Sequence, residues 1–202
     1  MTLEEWKKML EATEFAQLWH ADQKRKSSDI PYFSHLVQVQ GLILEHGGDA
    51  GQAIAGLLHD SLEDAPDSRE RTAREAIIED RFGLRVLKMI LTCTDTGPDE
   101  FLTQKKGWKE RKDRYVAQLS SATSDACLVA GCDKRHNLHA IIFDGKAEGL
   151  SVFDRFTASP VETLWYYETV IGVIRDSLPR RLVIELDELL QALESMVENL
   201  SE

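Results

Sequence analysis

Apolar residues recur at helical spacing along almost the whole chain, and this pattern limits the fold more than any other feature of the sequence. A representative stretch after residue 32 places its apolar positions on one helical face: Leu36, Val39, Leu42 and Ile43. We find no segment with the alternation of apolar and polar residues that predicts paired β-strands. We therefore predict an all-α fold, a helical bundle of roughly eight to ten helices.

Capping and helix-breaking residues predict several helix ends. Asp49 is a suitable N-cap for a helix over residues 50–62, which Pro66 would help to end. Ser124 is a suitable cap for the apolar segment that follows it, and Gly83 is placed to stop a helix. Loops are expected where Gly, Pro and Asp residues gather, near residues 64–68, 95–107 and 144–160.

The length and composition favour one domain. A chain of 202 residues that is 43% hydrophobic can bury one core, so we expect residues 1–202 to form a single domain without room for a second one. The sequence contains no apolar run near the ~20 residues that span a bilayer, and its N-terminus does not resemble a signal peptide. Three widely spaced cysteines are interpreted as reduced core thiols, which favours a cytoplasmic protein: Cys93, Cys127 and Cys132.

The charge is strongly acidic overall but unevenly distributed. A net charge of −11 argues against general affinity for nucleic acid or for anionic membranes. Positive residues nevertheless concentrate in two short stretches, residues 23–27 and 105–114. Each stretch is either a solvated helix face or part of a local site for a phosphorylated small molecule, and the sequence leaves both interpretations open.

Several ionisable residues interrupt segments that are otherwise apolar. They are His35, then His59, Asp60, Glu63 and Asp64, and finally Asp133 with His136, Asn137 and His139. Singly, each has a structural explanation, such as a hydrogen-bonded core histidine or a frayed helix end. An ionised carboxylate is costly to bury without compensation, however, and two histidines with two aspartates would suit a divalent metal ion.

The spacing after the first two of these candidate ligands is also informative. If the helix over residues 50–62 continues for one more turn, His59 and Glu63 share a face, and so do Asp60 and Asp64. Two further carboxylates would then lie one turn beyond the metal ligands. That arrangement could position and deprotonate a water molecule.

The pattern of these residues resembles a known family. His35, the pair His59-Asp60 and Asp133 are similar to the H…HD…D pattern of the HD-domain metal phosphohydrolases. Four stretches resemble the (p)ppGpp hydrolase domain of RelA/SpoT-type enzymes and its single-domain relatives, the small alarmone hydrolases: "HADQKRKSSDIPYFSHL" (20–36), "AIAGLLHDSLEDAP" (53–66), "RFGLRVLKMILTCTD" (81–95) and "DKRHNL" (133–138). The resemblance covers roughly residues 15–145 and implies an HD-domain helical bundle that the later helices complete.

The resemblance implies a role for each matching residue. One divalent ion, Mn2+ in this family, would be bound by His35, His59, Asp60 and Asp133. The attacking water would be oriented and activated by Glu63 and Asp64. The nucleotide would be contacted by Arg25, Lys26 and Asn137 and, in segments that align less closely, by Lys112 and Tyr166. His136, which belongs to the same motif as Asn137, is interpreted as supporting its helix.

The implied activity is hydrolysis of the 3′-pyrophosphate of guanosine alarmones by an isolated hydrolase domain. The chain departs from the family where Leu36 replaces a usual Pro and where His139 and Ala140 replace a usual Arg and Thr. These departures leave (p)ppApp and the 2′-phosphate of NADPH open as substrates, and a non-catalytic nucleotide-binding protein is a further alternative. The C-terminal amphipathic helix is expected to close the core, while a homo-oligomer remains undecided.

Overall fold

The computed structural model describes residues 1–97 and 107–199, and within them the fold is all-α, as predicted. The described helices are α1 (Leu3–Trp19), α2 (Phe33–Glu45), α3 (Ala50–Leu58), α4 (Ser68–Phe82), α5 (Leu84–Cys93), α6 (Trp108–Ser120), α7 (Ser124–Glu148), α8 (Pro160–Ile174) and α9 (Arg180–Glu198), with 3₁₀ segments at Gly149–Arg155 and Arg175–Ser177. The described β-structure is one isolated bridge between Lys24 and Pro31. Most of the predicted 95–107 loop, including Lys105 and Lys106, lies outside the described residues.

Helices α2 and α3 approach closely at the centre of the bundle. Gly56 of α3 faces α2, and a Cβ atom at this position would lie 2.3 Å from the Cδ1 of Ile43. Only a residue without a side chain allows this approach, because Ile43 is itself fully buried. Helix α7 packs against both helices, so three elements that carry candidate site residues meet in one core.

Helix α3 ends at Leu58, four residues earlier than predicted. The Ser61 hydroxyl donates to the Leu58 carbonyl at 2.6 Å, and the Ser61 N–H donates to the same oxygen at 3.0 Å. The His59 ring also binds the Gly56 carbonyl, at 2.8 Å. These bonds satisfy carbonyls that a continuing helix would have paired with later N–H groups, so residues 59–64 form a series of turns.

The other predicted helix ends divide into correct and incorrect ones. Asp49 caps α3 through the Gln52 N–H, and Gly83 stops α4 with a φ of 90°, as predicted. The cap of α7 is Thr123 and not Ser124, because the Thr123 hydroxyl accepts from the Ala126 N–H. The predicted loop over residues 144–160 is mostly wrong, because α7 and the following 3₁₀ segment occupy most of it.

The remaining core predictions concern α9 and the cysteines. Helix α9 closes the core, as predicted, with four buried side chains: Leu182, Leu186, Leu193 and Val197. The three cysteines are buried and free. No helix in the described part of the chain combines the length and the apolar character needed to cross a bilayer.

Candidate active site

A cavity of about 570 Å³ opens between the segment before α2, the turns after α3, and helices α6, α7 and α8. Except for His35, which lies buried beneath its floor, every residue predicted for the site lines this cavity: Arg25, Lys26, His59, Asp60, Glu63, Asp64, Lys112, Asp133, Asn137 and Tyr166. The fold therefore brings together segments that are more than 100 residues apart in the sequence.

Two imidazoles and two carboxylates converge at the floor of the cavity. The Nε2 atoms of His35 and His59 are 3.4 Å apart, and the Asp133 Oδ1 lies 3.3 Å from the first and 3.6 Å from the second. The Oδ2 of Asp60 is 2.9 Å from His59 Nε2 and 3.6 Å from His35 Nε2. Atoms of this kind at these separations could hold a metal ion, with His35, His59 and Asp133 as the most compact group.

The hydrogen bonds of the two rings leave the correct nitrogen atoms free for a metal. His59 must donate from Nδ1, because its partner at 2.8 Å is the Gly56 carbonyl, which can only accept. The Nδ1 of His35 lies 2.8 Å from the Nδ1 of His136. Burial, together with the charges of His35 and Arg25, lowers the pKa of His136 to about 3, so the His136 ring is neutral and accepts from His35. Both candidate ligands therefore direct an Nε2 lone pair toward the carboxylates.

The contact between His136 and His35 corrects the role that the sequence suggested for His136. We predicted that His136 supports its own helix, but its ring is buried against a residue of α2. The motif "DKRHNL" contained this residue, yet nothing in the sequence showed which side of α7 faces α2.

The two carboxylates at the floor of the cavity are held in the ionised state. Burial alone would raise the pKa of Asp133, but the charge of Lys134 and hydrogen bonds from the histidines keep it well below its usual value. Lys134 donates to Asp133 Oδ2 at 2.6 Å, while Oδ1 faces the imidazoles. The histidines similarly hold the pKa of Asp60 well below its usual value against burial, and the Tyr32 hydroxyl donates to its Oδ2 at 2.6 Å. This mixed nitrogen and oxygen donor set fits a divalent transition-metal ion.

Glu63 and Asp64 lie on the same wall of the cavity, although not on a continuous helix. The Asp64 N–H donates to the Asp60 carbonyl at 2.9 Å, which keeps the two residues one turn apart after α3 has ended. Burial, then the negative charges of Asp95 and Asp60, raise the pKa of Glu63 to about 7. Burial and Asp60 also raise the pKa of Asp64, against a hydrogen bond from Gln23. A carboxyl group that titrates near neutral pH is suited to general acid–base work.

The predicted substrate contacts lie around the mouth of the cavity and are partly linked to its floor. Arg25 donates to Asn137 Oδ1 at 3.1 Å, and Asn137 donates to Asp133 Oδ1 at 2.6 Å. Lys26 is exposed, with its ammonium 5.8 Å from the centre of the Phe156 ring. The basic loop before α2 is thereby connected to the carboxylate of α7.

Lys112 and Tyr166 form the opposite wall. The Lys112 ammonium lies 4.9 Å from the centre of the Tyr166 ring and donates to Asp95 at 2.6 Å. Asp95 also binds Arg111 at 2.8 Å. The described part of the second basic stretch is thus partly engaged with a buried carboxylate, and of its cations the Lys112 side chain lines the cavity.

Sequence reasoning missed four residues that hold the site together. They are His20, Gln23, Tyr32 and Lys134, and each contacts a predicted site residue directly or through one other side chain. All four belong to the quoted motifs "HADQKRKSSDIPYFSHL" and "DKRHNL". Their residue types were visible, but their contacts depend on how the chain folds back on itself.

Comparisons with known proteins agree with this geometry. The family model described as HD domain matches residues 12–161. Guanosine-3′,5′-bis(diphosphate) 3′-pyrophosphohydrolase MESH1 of Mus musculus is 31% identical over 133 residues, which cover 64% of this chain and 67% of that protein. The Aquifex aeolicus guanosine-3′,5′-bis(diphosphate) 3′-pyrophosphohydrolase is 37% identical over 94 residues, or 46% of this chain. The chain spans only 12% of that protein and 16% of a Synechocystis relative.

A solved structure shows the same fold. It is described as a metazoan ortholog of SpoT that hydrolyses ppGpp, and it superposes with a TM-score of 0.71 over 91% of this chain and 94% of that one, at 23% identity. The family model covers well over half of the chain and includes all the predicted metal ligands. The chain therefore belongs to the HD-domain family, and its relatives there include the guanosine-3′,5′-bis(diphosphate) 3′-pyrophosphohydrolases.

Proposed function

We propose that this protein is a metal-dependent phosphohydrolase that removes the 3′-pyrophosphate of guanosine alarmones, converting (p)ppGpp into GDP or GTP and pyrophosphate. The observation that carries the proposal is the convergence of the donor atoms of His35, His59, Asp60 and Asp133 at the floor of a cavity that also contains Glu63 and Asp64. Relatives that share the HD domain are named for this reaction.

The metal in this proposal is Mn2+, held by His35, His59, Asp60 and Asp133. When bound, such an ion supplies a Lewis acid that lowers the pKa of water and stabilises charge on phosphoryl oxygens. The chain itself supplies the base: Glu63, assisted by Asp64, accepts a proton from the water that attacks the phosphorus next to the ribose 3′-oxygen. The bond between that phosphorus and the 3′-oxygen breaks, pyrophosphate leaves, and the 3′-oxygen takes up a proton.

The cavity separates cationic from anionic side chains in a way that suits a phosphorylated nucleotide. Arg25 and Lys26 lie on one side and Lys112 on the other, while the acids gather at the floor and on the adjoining wall. Arginine binds phosphate in a bidentate manner and stacks on a base, and lysine contributes a localised charge. We assign these three residues, with Asn137 and Tyr166, to binding of the nucleotide.

A direct test is to incubate the purified protein with Mn2+ and ppGpp and to follow GDP and pyrophosphate. We expect turnover with Mn2+ and its loss when EDTA removes the ion. Absence of turnover of both ppGpp and ppApp by folded, metal-loaded protein would exclude the proposal. It would leave a non-catalytic nucleotide-binding protein as the interpretation of the site.

Two variants separate the roles of the metal ligands and the acids. Asp60→Asn should lose bound metal and activity together, because one anionic ligand is removed. Glu63→Gln should retain the metal but lower kcat by about 10²-fold or more, because the general base is lost. Metal content and initial rate are measured on the same preparations, with Glu79→Gln on the exposed face of α4 as the control. Loss of metal in Glu63→Gln would contradict the assigned role.

The choice of nucleotide is a separate question, and one observation keeps a second candidate open. His139 and Ala140, where the chain departs from the family pattern, both line the cavity. The His139 ring stacks on the exposed Phe143 with ring centres 4.3 Å apart and planes at 24°. These contacts support testing (p)ppApp and NADPH beside ppGpp, and the highest kcat/KM identifies the preferred nucleotide.

A further inference from the structure

Asp64 is held by a chain of two side chains from the segment before α2. The Gln23 side-chain amide donates from Nε2 to Asp64 Oδ2 at 2.8 Å. Its oxygen, Oε1, lies 2.6 Å from the Nδ1 of His20. His20 is buried with 2% of its surface exposed, although Asp64 itself opens onto the cavity.

The chemistry of the three groups fixes the direction of each hydrogen bond. An ionised carboxylate only accepts, so the Gln23 amide must present its NH₂ group to Asp64 and its oxygen to His20. His20 must then carry a proton on Nδ1. The Nε2 of His20 is buried without a hydrogen-bond partner among the described residues, which makes the neutral Nδ1–H form the one that fits.

The same histidine also contacts the residue that holds Asp60. The His20 ring stacks on Tyr32 with ring centres 5.5 Å apart and planes at 28°. Tyr32 donates to Asp60, and its backbone N–H donates to the Gln23 carbonyl at 2.8 Å. His20 is therefore the buried support beneath both Gln23 and Tyr32, one of which reaches Asp64 and the other Asp60.

We propose that Gln23, locked in one amide orientation by His20, is a positioning residue that aims the Asp64 carboxylate into the cavity. The step from contact to catalysis rests on the proposed function, in which Asp64 assists the attack of water. The contact removes one rotational freedom from a partly exposed carboxylate, and such supporting contacts commonly change activity by about 10–100-fold.

Kinetics of matched variants test the role. Gln23→Met keeps the side-chain length but removes both hydrogen bonds, and we expect kcat to fall about 10-fold or more with KM within twofold. Gln17→Met, at an exposed position of α1, is the control and should leave both constants unchanged. An increase in KM with unchanged kcat would overturn the proposal, because it would make Gln23 a substrate contact.

Substitution of His20 tests the locking step. His20→Asn retains an N–H donor near the position of Nδ1 and should keep most of kcat, whereas His20→Leu should lose as much as Gln23→Met. The double variant His20→Leu with Gln23→Met should be no worse than Gln23→Met alone, since both changes break one chain of contacts. Additive losses would overturn the link between the two residues.

A measurement that needs no turnover distinguishes this inference from the proposed function. The Asp64 carboxyl carbon can be followed by ¹³C NMR in protein loaded with diamagnetic Mg2+, with the signal assigned by comparison with Asp64→Asn. Removing a donor to the charged form should raise the pKa of Asp64 in Gln23→Met and leave it unchanged in Gln17→Met. An identical titration in wild type and Gln23→Met would overturn the contact, even if no nucleotide is hydrolysed.

Discussion

The carboxylates at the centre of this protein lie close to groups that favour their charged forms. Asp133 is stabilised by Lys134, and Asp60 by Tyr32 and the histidines. Glu63 differs, because its neighbours include Asp95 and Asp60, whose charges raise its pKa to about 7. The residue to which we assign proton transfer is therefore also one whose ionisation opposes folding.

This opposition predicts a pH-dependent gain in stability for Glu63→Gln. A carboxyl group with a raised pKa stabilises the fold below its unfolded value near 4.5, and this contribution is lost as the pH rises through about 7. In EDTA at pH 8, Glu63→Gln should be more stable than wild type by up to about 3 kcal/mol, and the difference should shrink toward pH 5. Urea unfolding at the two pH values measures it, with Glu79→Gln as the control; an equal difference at both pH values would contradict the prediction.

Sequence reasoning succeeded at the residue scale where chemistry restricts residue type, and it failed where contacts depend on the fold. The separated residues His35, His59 and Asp133 do converge, because few other arrangements explain charged groups in apolar segments. The contact between Gln23 and Asp64 joins residues 41 positions apart through two exposed loops. Loop paths leave no periodic pattern in a sequence, so that contact could not be predicted.

Individual helices were easier to predict than their ends. The all-α class follows from apolar periodicity, but α3 ends early because Ser61 and His59 bind carbonyls of its last turn. The apolar residues Leu3 and Leu10 of α1 are exposed, and the buried face carries Met9, Ala12 and Ala16 instead. Small alanines pack where helices approach closely, so hydrophobicity alone did not identify the buried face.

The close approach of α2 and α3 leads to a prediction about Gly56. Gly56→Ala would force a Cβ to within 2.3 Å of the Ile43 side chain, so the two helices must shift or Ile43 must repack. We expect a loss of about 1–3 kcal/mol in the free energy of unfolding and weaker metal binding, because His35 and His59 lie on either side of this contact.

Gly41→Ala is the matched control. This glycine lies in α2 and a Cβ there would have no neighbour within 4 Å, so the change should stabilise the helix by about 0.5–1 kcal/mol. Urea unfolding and metal titration of both variants give the comparison. A stable Gly56→Ala variant with normal metal affinity would show that the spacing of α2 and α3 does not set the site.

At the scale of the whole molecule, α9 closes the bundle over α7. Leu186 is fully buried, whereas Ile184, on the same helix, is 48% exposed. We expect Leu186→Ala to lower the free energy of unfolding by about 2–5 kcal/mol, because it leaves a cavity in the core. Ile184→Ala should have little effect, and similar losses in both variants, measured by urea unfolding, would contradict the assigned packing.

The uninterrupted length of α7 has a consequence for how such enzymes diversify. At about 1.5 Å per residue, this single helix places Phe143 roughly 15 Å along its axis from Asp133. The ligand at one end is fixed by packing and ion pairing, while His139, Ala140 and Phe143 reach the same cavity from later turns. Mutational drift at those three positions can therefore retune which nucleotide is accepted without disturbing the metal ligands, and a library randomised there would explore new substrates at constant chemistry.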